Sequence, residues 1–330
     1  MALLWADSFQ GYATAQLIYR YYVAAGGITI GTGGRNGYNC LKFDDDSEPV
    51  VVYLTTTKTT ICAGFAIKRS QVYDTVDRTL FALYENATLH TDIRFELSTG
   101  RLKATRNGTV LGITTNPATP LNVWAHIQIK IVVNDAAGAV LIKVNDQTVL
   151  NLTGVDTQNG GTGAVNQVKL YGIASGTTYI SDYWIDDADL LGDCRIECIM
   201  PGGAGDTTAW TPSAGANREC VDEIGPDGDT SYVSSATVDQ IDTYEFGNLV
   251  PASGLVKGVM ASVWARKDDA GVRQMAIVAR PGSTDRIGDT ITLSDTYTYY
   301  RQLWDLNPDT SGEWSIAEVN ASEFGIKMVA

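Results

Sequence analysis

The chain has 330 residues, of which 44% are hydrophobic and 19% charged. This length exceeds what one hydrophobic core usually supports, so we expect two domains. The net charge of −14 and the lack of any Lys/Arg-rich run exclude nucleic acid as a partner, because such a surface repels phosphate.

The N-terminal residues resemble neither a signal peptide nor a membrane anchor. Met1 to Phe9 lack basic residues, and Asp7 interrupts their apolar run. No stretch approaches the roughly 18 to 20 consecutive apolar residues that cross a bilayer. We therefore expect synthesis in the cytoplasm, without a signal peptide and without membrane insertion.

Alternation of apolar and polar residues with a period of two dominates residues 37–185. Gly, Asn, Asp or Pro interrupts it about every 8 to 12 residues, which is typical of a β-sandwich or barrel. Turns are predicted at 98–100, 106–108 and 135–138, because Asn and Gly tolerate a positive φ. The predicted strands are 37–43, 49–54, 59–68, 79–84, 92–97, 102–106, 124–133, 139–144, 147–152, 167–172 and 178–185.

A domain boundary is predicted near 190–192, after the last of these strands. Residues 201–217, rich in Gly, Pro, Ser and Thr, predict an ordered excursion or a long loop. Strands are then predicted at 256–267 and 273–280, joined as a hairpin, and at 297–306. Near the C-terminus Ser315 predicts a helix N-cap, since Glu318 follows three residues later.

The fold class predicted is therefore all-β, with two tandem β-sandwich domains and one short helix near the C-terminus. Residues 1–190 form the first domain. Residues 191–330 form the second, an assembly or interaction module.

The chain has five cysteines, an odd number that does not fit a disulfide framework in a chain of this length. Cys40 and Cys62 lie in apolar, strand-like contexts and are predicted to be buried thiols. Cys194, Cys198 and Cys220 have a spacing that could begin a zinc site. The chain's two histidines are distant in sequence, so a fourth ligand is missing and no zinc is predicted.

The segment 122–130, a glycine-containing hairpin and the segment 139–146 resemble the central strands of concanavalin A-like proteins, in particular laminin-G-like domains. In this chain Asn145 and Asp146 stand where that turn usually has Asp-Gly. The resemblance implies a jelly-roll sandwich for residues 1–190.

A second resemblance covers most of the chain and is to tailed-bacteriophage virion proteins. It rests on 180–197, Pro201, the Trp210-Thr211-Pro212 string, 227–234 and 314–327. It implies a structural part of a phage particle in a tail fibre, baseplate or head decoration. It also implies a virion location, with other virion proteins and copies of the same chain as partners.

No catalytic constellation is predicted. Glucanases of the concanavalin A-like fold use a Glu-x-Asp-x-x-Glu string, which this chain lacks. Glu219, Asp222 and Glu223 come nearest, but a strand would place Glu219 and Asp222 on opposite faces. His126 is expected to be a packed strand residue, and no nucleophile elbow accompanies His90.

Acidic turns leave a weak possibility of calcium. Asp186, Asp187 and Asp189, or the run 44–46, supply oxygen ligands but lack an ordered ligand spacing. A solvated turn is the alternative, and no cofactor is predicted.

Clustered aromatic residues are the candidate binding residues. They suit either a subunit interface or a glycan platform, and the sequence leaves both open. They are Tyr19, Tyr21, Tyr22, Trp210, Tyr297, Tyr299 and Tyr300.

The sequence thus predicts a non-enzymatic phage structural component that acts through assembly as a symmetric homo-oligomer. The alternative is a host-recognition adhesin that binds surface glycans. A glycan hydrolase using Glu219, Asp222 and Glu223 is a further alternative.

Overall fold

The computed structural model describes residues 3–23, 27–44, 49–70, 76–96, 98–173, 176–251 and 253–330. Strand makes up 51% and helix 6%, which confirms the all-β class predicted from the sequence. Two compact units are present: Met1–Gln10 with Thr14–Ile196, and Gly11–Ala13 with Glu197–Ala330. Within the described ranges, no helix is long and apolar enough to cross a membrane.

The first unit contains fifteen described strands and three short helical segments. The helical segments are the 3-10 helices Thr14–Gln16 and Arg35–Gly37, and α1 Leu17–Arg20. The strands are β1 Leu3–Asp7, β2 Tyr22–Val23, β3 Ile28–Gly31, β4 Cys40–Asp44, β5 Val50–Lys58, β6 Thr60–Arg69, β7 Arg78–Glu85, β8 Thr88–Glu96, β9 Arg101–Arg106, β10 Thr109–Ile113, β11 Ala125–Val132, β12 Gly138–Val144, β13 Gln147–Val155, β14 Val165–Leu170 and β15 Thr177–Asp186.

These strands form two antiparallel sheets. The eight-stranded sheet has the order β13-β12-β11-β6-β15-β4-β3, with β1 also paired to β15. The seven-stranded sheet has the order β10-β9-β8-β7-β14-β5-β2. Neighbours in these orders are often distant in sequence, which is the pattern of a jelly-roll sandwich rather than a simple meander.

The core of the first unit lies between the inward faces of the two sheets. Ile127 and Phe65 are a buried cross-strand pair of the eight-stranded sheet. Phe81 and Ile93 are a buried cross-strand pair of the seven-stranded sheet. Alternate residues of each strand face the opposite way, so both sheets also present an outer face.

Two predicted turns take the backbone conformation that their residues favour. Asn107 and Gly108 both have positive φ, at 42° and 87°, as the hairpin prediction required. Asn145 and Asp146 also both have positive φ, at 48° and 61°. Asn-Asp therefore serves this turn in place of the usual Asp-Gly.

The second unit contains eleven described strands and two short helical segments. The helical segments are the 3-10 helix Asn217–Cys220 and α2 Ile316–Asn320. The strands are β16 Pro201–Thr208, β17 Thr211–Pro212, β18 Val233–Ser234, β19 Ile241–Phe246, β20 Leu255–Val256, β21 Val259–Ala265, β22 Gln274–Arg280, β23 Arg286–Thr292, β24 Thr298–Trp304, β25 Trp314–Ser315 and β26 Glu323–Met328.

A five-stranded sheet, in the order β16-β19-β26-β22-β23, organises the second unit. Three two-stranded ribbons accompany it: β17-β18, β20-β25 and β21-β24. A small core of Ala279, Trp314, Val319 and Phe324 is packed against partly buried residues that include Trp304.

Two predictions for this unit were wrong. The segments 256–267 and 273–280 do not form a hairpin, because β21 pairs with β24 and places Trp264 opposite Tyr299. β22 instead pairs with β23 and β26, where most of its residues are buried. Part of the segment 201–217 is not a loop but the strand β16.

The predicted C-terminal helix is confirmed as α2. The Glu318 amide donates to Ser315 Oγ at 3.1 Å, and Glu318 Oε2 accepts from the Ser315 amide at 2.7 Å. This reciprocal pair is the capping box that the sequence indicated.

Candidate functional site

The outer face of the seven-stranded sheet collects polar and aromatic side chains from several strands. On β8 the side chains of Ile93 and Phe95 are buried in the core, so Asp92 and Arg94 lie on the opposite face. Directly paired residues on adjacent strands share a face, so the register identifies the other residues of this surface. We call it the outer face of the seven-stranded sheet.

One row of this face consists of Tyr53, Gln167 and Tyr84. They are successive Cα partners on β5, β14 and β7. Since neighbouring strands lie about 4.8 Å apart, the two tyrosines stand about 10 Å from each other, on either side of the amide. Tyr53 is 53% exposed, and the other two are half-buried. The row thus places one amide between two aromatic rings.

The neighbouring row contains Lys169, which lies on β14, next to the central strand β7. Its Cα partners are Ala82 and Val51, whose side chains are short and apolar. The Lys169 Nζ lies 3.9 Å from the centroid of the Tyr84 ring, a cation–π geometry. The lysine thus places a positive charge beside the tyrosine row.

The buried carboxylate of Asp92 is the common hydrogen-bond acceptor for several polar side chains of this face. Its side chain is fully buried and accepts hydrogen bonds from Thr79 Oγ1 at 3.2 Å, from Thr105 Oγ1 and from Arg94 Nε at 2.5 Å. A buried carboxylate is stable only when it is paired and hydrogen-bonded. The three donors meet that requirement and fix the orientation of the Arg94 guanidinium.

Further charged residues lie beyond Arg94 at one end of the face. Arg101 donates to Glu96 at 2.6 Å, and Lys103 pairs with Asp77 and, at 3.6 Å, with Glu96. The pKa of Glu96 is lowered, first by the hydrogen bond from the Thr99 hydroxyl and then by Arg101. This end of the face is an ion-pair network.

The predicted N-terminal tyrosines do not form a common platform. Tyr19 lies on α1 and is 45% exposed, whereas Tyr21 is only 2% exposed. The Tyr21 hydroxyl donates to Asp7 at 2.9 Å and accepts from Trp5 Nε1 at 3.1 Å. Tyr21 is therefore a core residue and is not available to a ligand at the surface. Tyr22 begins β2 and pairs with Val51.

The predicted tyrosines of the second unit divide between two faces of the β21-β24 ribbon. Tyr297 stacks on Trp264 with a centroid distance of 5.7 Å, and Tyr299 contacts the same indole at 4.8 Å. Tyr300 pairs with Val263, and its hydroxyl accepts from the Ser294 amide at 2.7 Å. The cluster thus includes a tryptophan that the sequence analysis did not select.

Trp210 lies apart from this cluster. Its indole Nε1 donates to the Gln240 carbonyl at 3.2 Å, and its amide donates to Asp242 at 3.0 Å. These contacts attach Trp210 to β19 and to the residue that precedes this strand.

The two histidines have different surroundings. His126 is buried next to Asp193, with its Nε2 3.9 Å from a carboxylate oxygen. Burial lowers the pKa of His126, and the charge of Asp193 opposes that shift. His90 accepts from the Asn159 amide at 3.1 Å and lies 3.3 Å from Glu85. Both are packed residues, as the sequence predicted for His126.

The carboxylates proposed for a hydrolase make structural contacts in the second unit. Glu219 accepts from the Ala216 amide at 3.0 Å, Asp222 accepts from Arg218 at 2.7 Å, and Glu223 accepts from Ser231 at 2.9 Å. Glu219 and Cys220 end a 3-10 helix rather than a strand. Each of the three carboxylates is therefore held by a different group of the second unit.

The acidic turn after β15 is held by protein groups. Asp186 is buried and accepts from the amides of residues 188 and 189, at 2.7 and 3.0 Å. Asp187 pairs with Lys58 at 2.7 Å, and Asp189 lies 3.7 Å from Lys130. Of the run 44–46, only Asp44 lies among the described residues. Over those ranges no group of three or more His, Cys, Asp or Glu is arranged to hold a metal ion.

The five cysteines are free thiols. Burial raises the pKa of Cys40 to about 11 and that of Cys62 to about 12, which confirms the prediction of core thiols. Cys194 and Cys220 donate to the carbonyls of Leu191 and Ala214, at 3.2 and 2.9 Å, and Cys198 lies 3.9 Å from the Met200 sulfur.

No protein-family profile and no curated protein matches this chain. Solved structures do match it. One is the catalytic domain of a glycoside hydrolase family 131 protein from Coprinopsis cinerea, at 14% identity and a TM-score of 0.41, covering 58% of this chain and 99% of that one. An endo-β-1,4-glucuronan lyase from Trichoderma reesei matches at 13% identity and a TM-score of 0.38, covering 51% and 90%.

An alginate lyase matches at 10% identity and a TM-score of 0.36, covering 50% of this chain and 84% of that one. At these identities and scores the likeness concerns the fold, and no residue role is transferred. The all-β class and the sandwich of the first unit follow from the chain's own strands and sheet order.

These structures correct the prediction that the chain is not an enzyme. That prediction rested on the absence of a recognisable catalytic constellation and on the resemblance to virion proteins, whereas the matched structures are of glycan lyases and glycoside hydrolases. The comparisons also give no support to a phage origin or to a virion role.

Proposed function

We propose that the first unit binds a saccharide on the outer face of its seven-stranded sheet. Tyr53, Gln167 and Tyr84 are the contact row. Carbohydrate binding was the alternative function in the sequence analysis. The proposed contact residues differ from the tyrosine clusters predicted there, because the sheet register brings a different set together.

The observation that carries the proposal is the register of that row. The two rings stand on either side of an amide, on three adjacent strands. Sugar rings stack on aromatic faces through their C–H groups, while their hydroxyls need polar partners. The Gln167 side-chain nitrogen donates to the Asn86 carbonyl at 2.7 Å, which holds the amide in place, and the Gln167 side-chain oxygen can accept a hydrogen bond from a sugar hydroxyl.

Rigidity of the surroundings supports the same proposal. The three residues lie on strands whose alternate side chains, such as Val168 and Leu83, are fully buried. A site on packed strands loses little conformational entropy when a ligand binds.

The experiment is a screen of the full chain against a glycan array, followed by titration calorimetry with the saccharides that bind. We expect Tyr53→Ala and Gln167→Ala each to weaken binding by about tenfold, the equivalent of one lost contact of about 1.4 kcal/mol. Tyr19→Ala is the matched control, because Tyr19 is also an exposed tyrosine of the first unit and lies on α1.

Binding that survives Tyr53→Ala and Gln167→Ala, or the failure of every saccharide to bind, would contradict the proposal. The size of the bound saccharide is followed in the same samples by chromatography. Any shortening then reports cleavage separately from binding.

A further inference from the structure

We infer that the saccharide bound on the outer face of the seven-stranded sheet is an extended chain of pyranose units, joined β-1,4 through equatorial bonds and lying across the strands. This inference rests on the proposed function and specifies its ligand class. It comes from the direction and the spacing of the contact row.

The contact row runs perpendicular to the strands. Tyr53, Gln167 and Tyr84 are Cα partners on β5, β14 and β7, so a line through them follows the hydrogen bonds between antiparallel strands. A ligand that contacts both tyrosines therefore crosses three strands. A monosaccharide is too short to do this, whereas a linear oligosaccharide is long enough.

The spacing of the row matches the repeat of an extended saccharide. Neighbouring strands lie about 4.8 Å apart, which is close to the length that one pyranose unit adds to an extended chain. Three consecutive sugars then occupy the three positions of the row. The first lies on Tyr53, the second on Gln167 and the third on Tyr84.

The order of side chains in the row indicates the linkage. In a chain joined β-1,4 through equatorial bonds, each sugar is turned over relative to its neighbour, so the first and third sugars present the same face. The row has the same alternation, with a ring, an amide and a ring. Chains linked α-1,4 or β-1,3 curve, so their first and third sugars do not face one straight row.

The hydrogen bonds at the middle position fit a sugar hydroxyl. The Gln167 side-chain nitrogen donates to the Asn86 carbonyl at 2.7 Å, and two hydrogen bonds of 2.8 Å join Asn86 to Asn166. These contacts hold the Gln167 amide, whose oxygen accepts from a hydroxyl of the second sugar. At Tyr84 the Lys169 ammonium lies over one face of the ring, so the third sugar stacks on the opposite face.

The ends of the row limit the length of chain that it contacts. Tyr84 pairs with Leu89 on β8, an apolar residue that is half-buried. On the other side, β2 pairs with β5 through Val50 and Val51, so the described part of this ladder stops before the row. We therefore expect affinity to increase with chain length up to three or four sugars and then to level off.

The test uses the full chain and hexasaccharides that differ in linkage. The extended set is β-1,4-linked glucose, mannose, xylose and N-acetylglucosamine, all of which have an equatorial O4. The curved set is α-1,4-linked glucose and β-1,3-linked glucose. Titration calorimetry gives the dissociation constants. For the extended hexamer that binds most tightly, the series from two to six sugars is measured in the same way.

We expect at least one extended hexamer to bind about tenfold more tightly than both curved hexamers, because a curved chain contacts only one of the two tyrosines. The trisaccharide should bind about tenfold more tightly than the disaccharide for the same reason. Tyr53→Ala should remove that gain, since a disaccharide on Gln167 and Tyr84 does not use Tyr53. Tyr19→Ala, on α1, is the matched control and should keep the gain.

The other outcomes separate this inference from the proposed function. Curved hexamers that bind as tightly as every extended one would overturn the extended-chain inference and leave saccharide binding in place. Equal affinities for two and three sugars, or a gain that survives Tyr53→Ala, would overturn it too. If no hexamer binds while the glycan array identifies another saccharide, only this inference is wrong. If the array also identifies no ligand, the proposed function is wrong as well.

Discussion

The ammonium of Lys169 and the ring of Tyr84 lie 3.9 Å apart across the adjacent strands β14 and β7. They are diagonal neighbours, because Lys169 pairs directly with Ala82, two residues before Tyr84. The contact connects the charge on β14 to the aromatic row.

A double-mutant cycle should measure this contact. We expect Tyr84→Leu and Lys169→Met to show a coupling energy of about 0.5–1 kcal/mol, the usual value for a partly exposed cation–π pair. Denaturant unfolding of the full chain, with hydrogen exchange reporting on β7 and β14, supplies the four stabilities. Additive effects of the two substitutions would show that the contact contributes nothing.

Asp92→Asn should destabilise the first unit by about 2–4 kcal/mol, because it removes the negative partner of Arg94 from a fully buried position. Thr105→Val, which removes only one neutral donor to the same carboxylate, should cost about 1 kcal/mol. Thermal unfolding checks both changes. Equal effects of the two substitutions would rule out a special role for the Asp92 charge.

Gly64→Ala should destabilise the first unit by about 1–3 kcal/mol through overpacking. A Cβ atom at residue 64 would overlap the Cε2, Cζ2 and Nε1 atoms of the Trp184 indole. Gly247→Ala is the control, since a Cβ there would meet nothing within 4 Å. Calorimetry measures the unfolding temperature of both variants. If Gly64→Ala leaves the stability unchanged, Trp184 can move to accommodate the added methyl group.

Acidification below pH 6.5 should weaken the first unit through His126. Burial lowers the pKa of His126 below 6.5, Asp193 raises it, and Arg35 lowers it. The unfolded chain therefore binds more protons, and this contribution, complete above pH 6.5, is lost as the pH falls through the folded pKa.

Asp182, whose carboxylate lies 4.0 Å from Arg35, contributes to stability with the opposite pH dependence to His126. Burial raises its pKa above 3.8, so its contribution is present below that value and is lost as the pH rises through the folded pKa. Unfolding of His126→Gln at about pH 7.5 and about pH 5.5 tests the histidine. We expect a smaller loss of stability than in the parent chain, and an unchanged loss would assign the pH dependence to other groups.

Ser315→Ala should destabilise α2 by about 1 kcal/mol, because the amide of Glu318 loses its side-chain acceptor. Hydrogen exchange of residues 316–320 measures this directly. Ser315→Asp preserves an N-cap acceptor and should restore the protection; failure to do so would argue against capping as the cause.

Local signals in the sequence were sufficient for elements that depend on nearby residues. The period-two alternation predicted eleven of the fifteen described strands of the first unit and missed β1, β2, β3 and β10. Asn107-Gly108 predicted a turn, and Ser315 with Glu318 predicted a capped helix. In each case the stabilising contacts join residues within a few positions of one another, so their pattern is visible in the chain itself. The burial of Cys40 and Cys62 followed from the same apolar context.

Tertiary structure decided what depends on distant pairing. Tyr53, Tyr84, Gln167 and Lys169 lie on three strands that are neighbours in space but not in sequence, so no spacing marks them as a group. Their outward position could have been read from alternation around Val52, Leu83 and Val168, yet their convergence could not. Likewise, local turn signals favoured a hairpin at 268–271, whereas packing joined β21 to the distant β24. The sequence by itself thus determined the all-β class and its local turns, and long-range strand pairing determined which side chains share a face of the sheet.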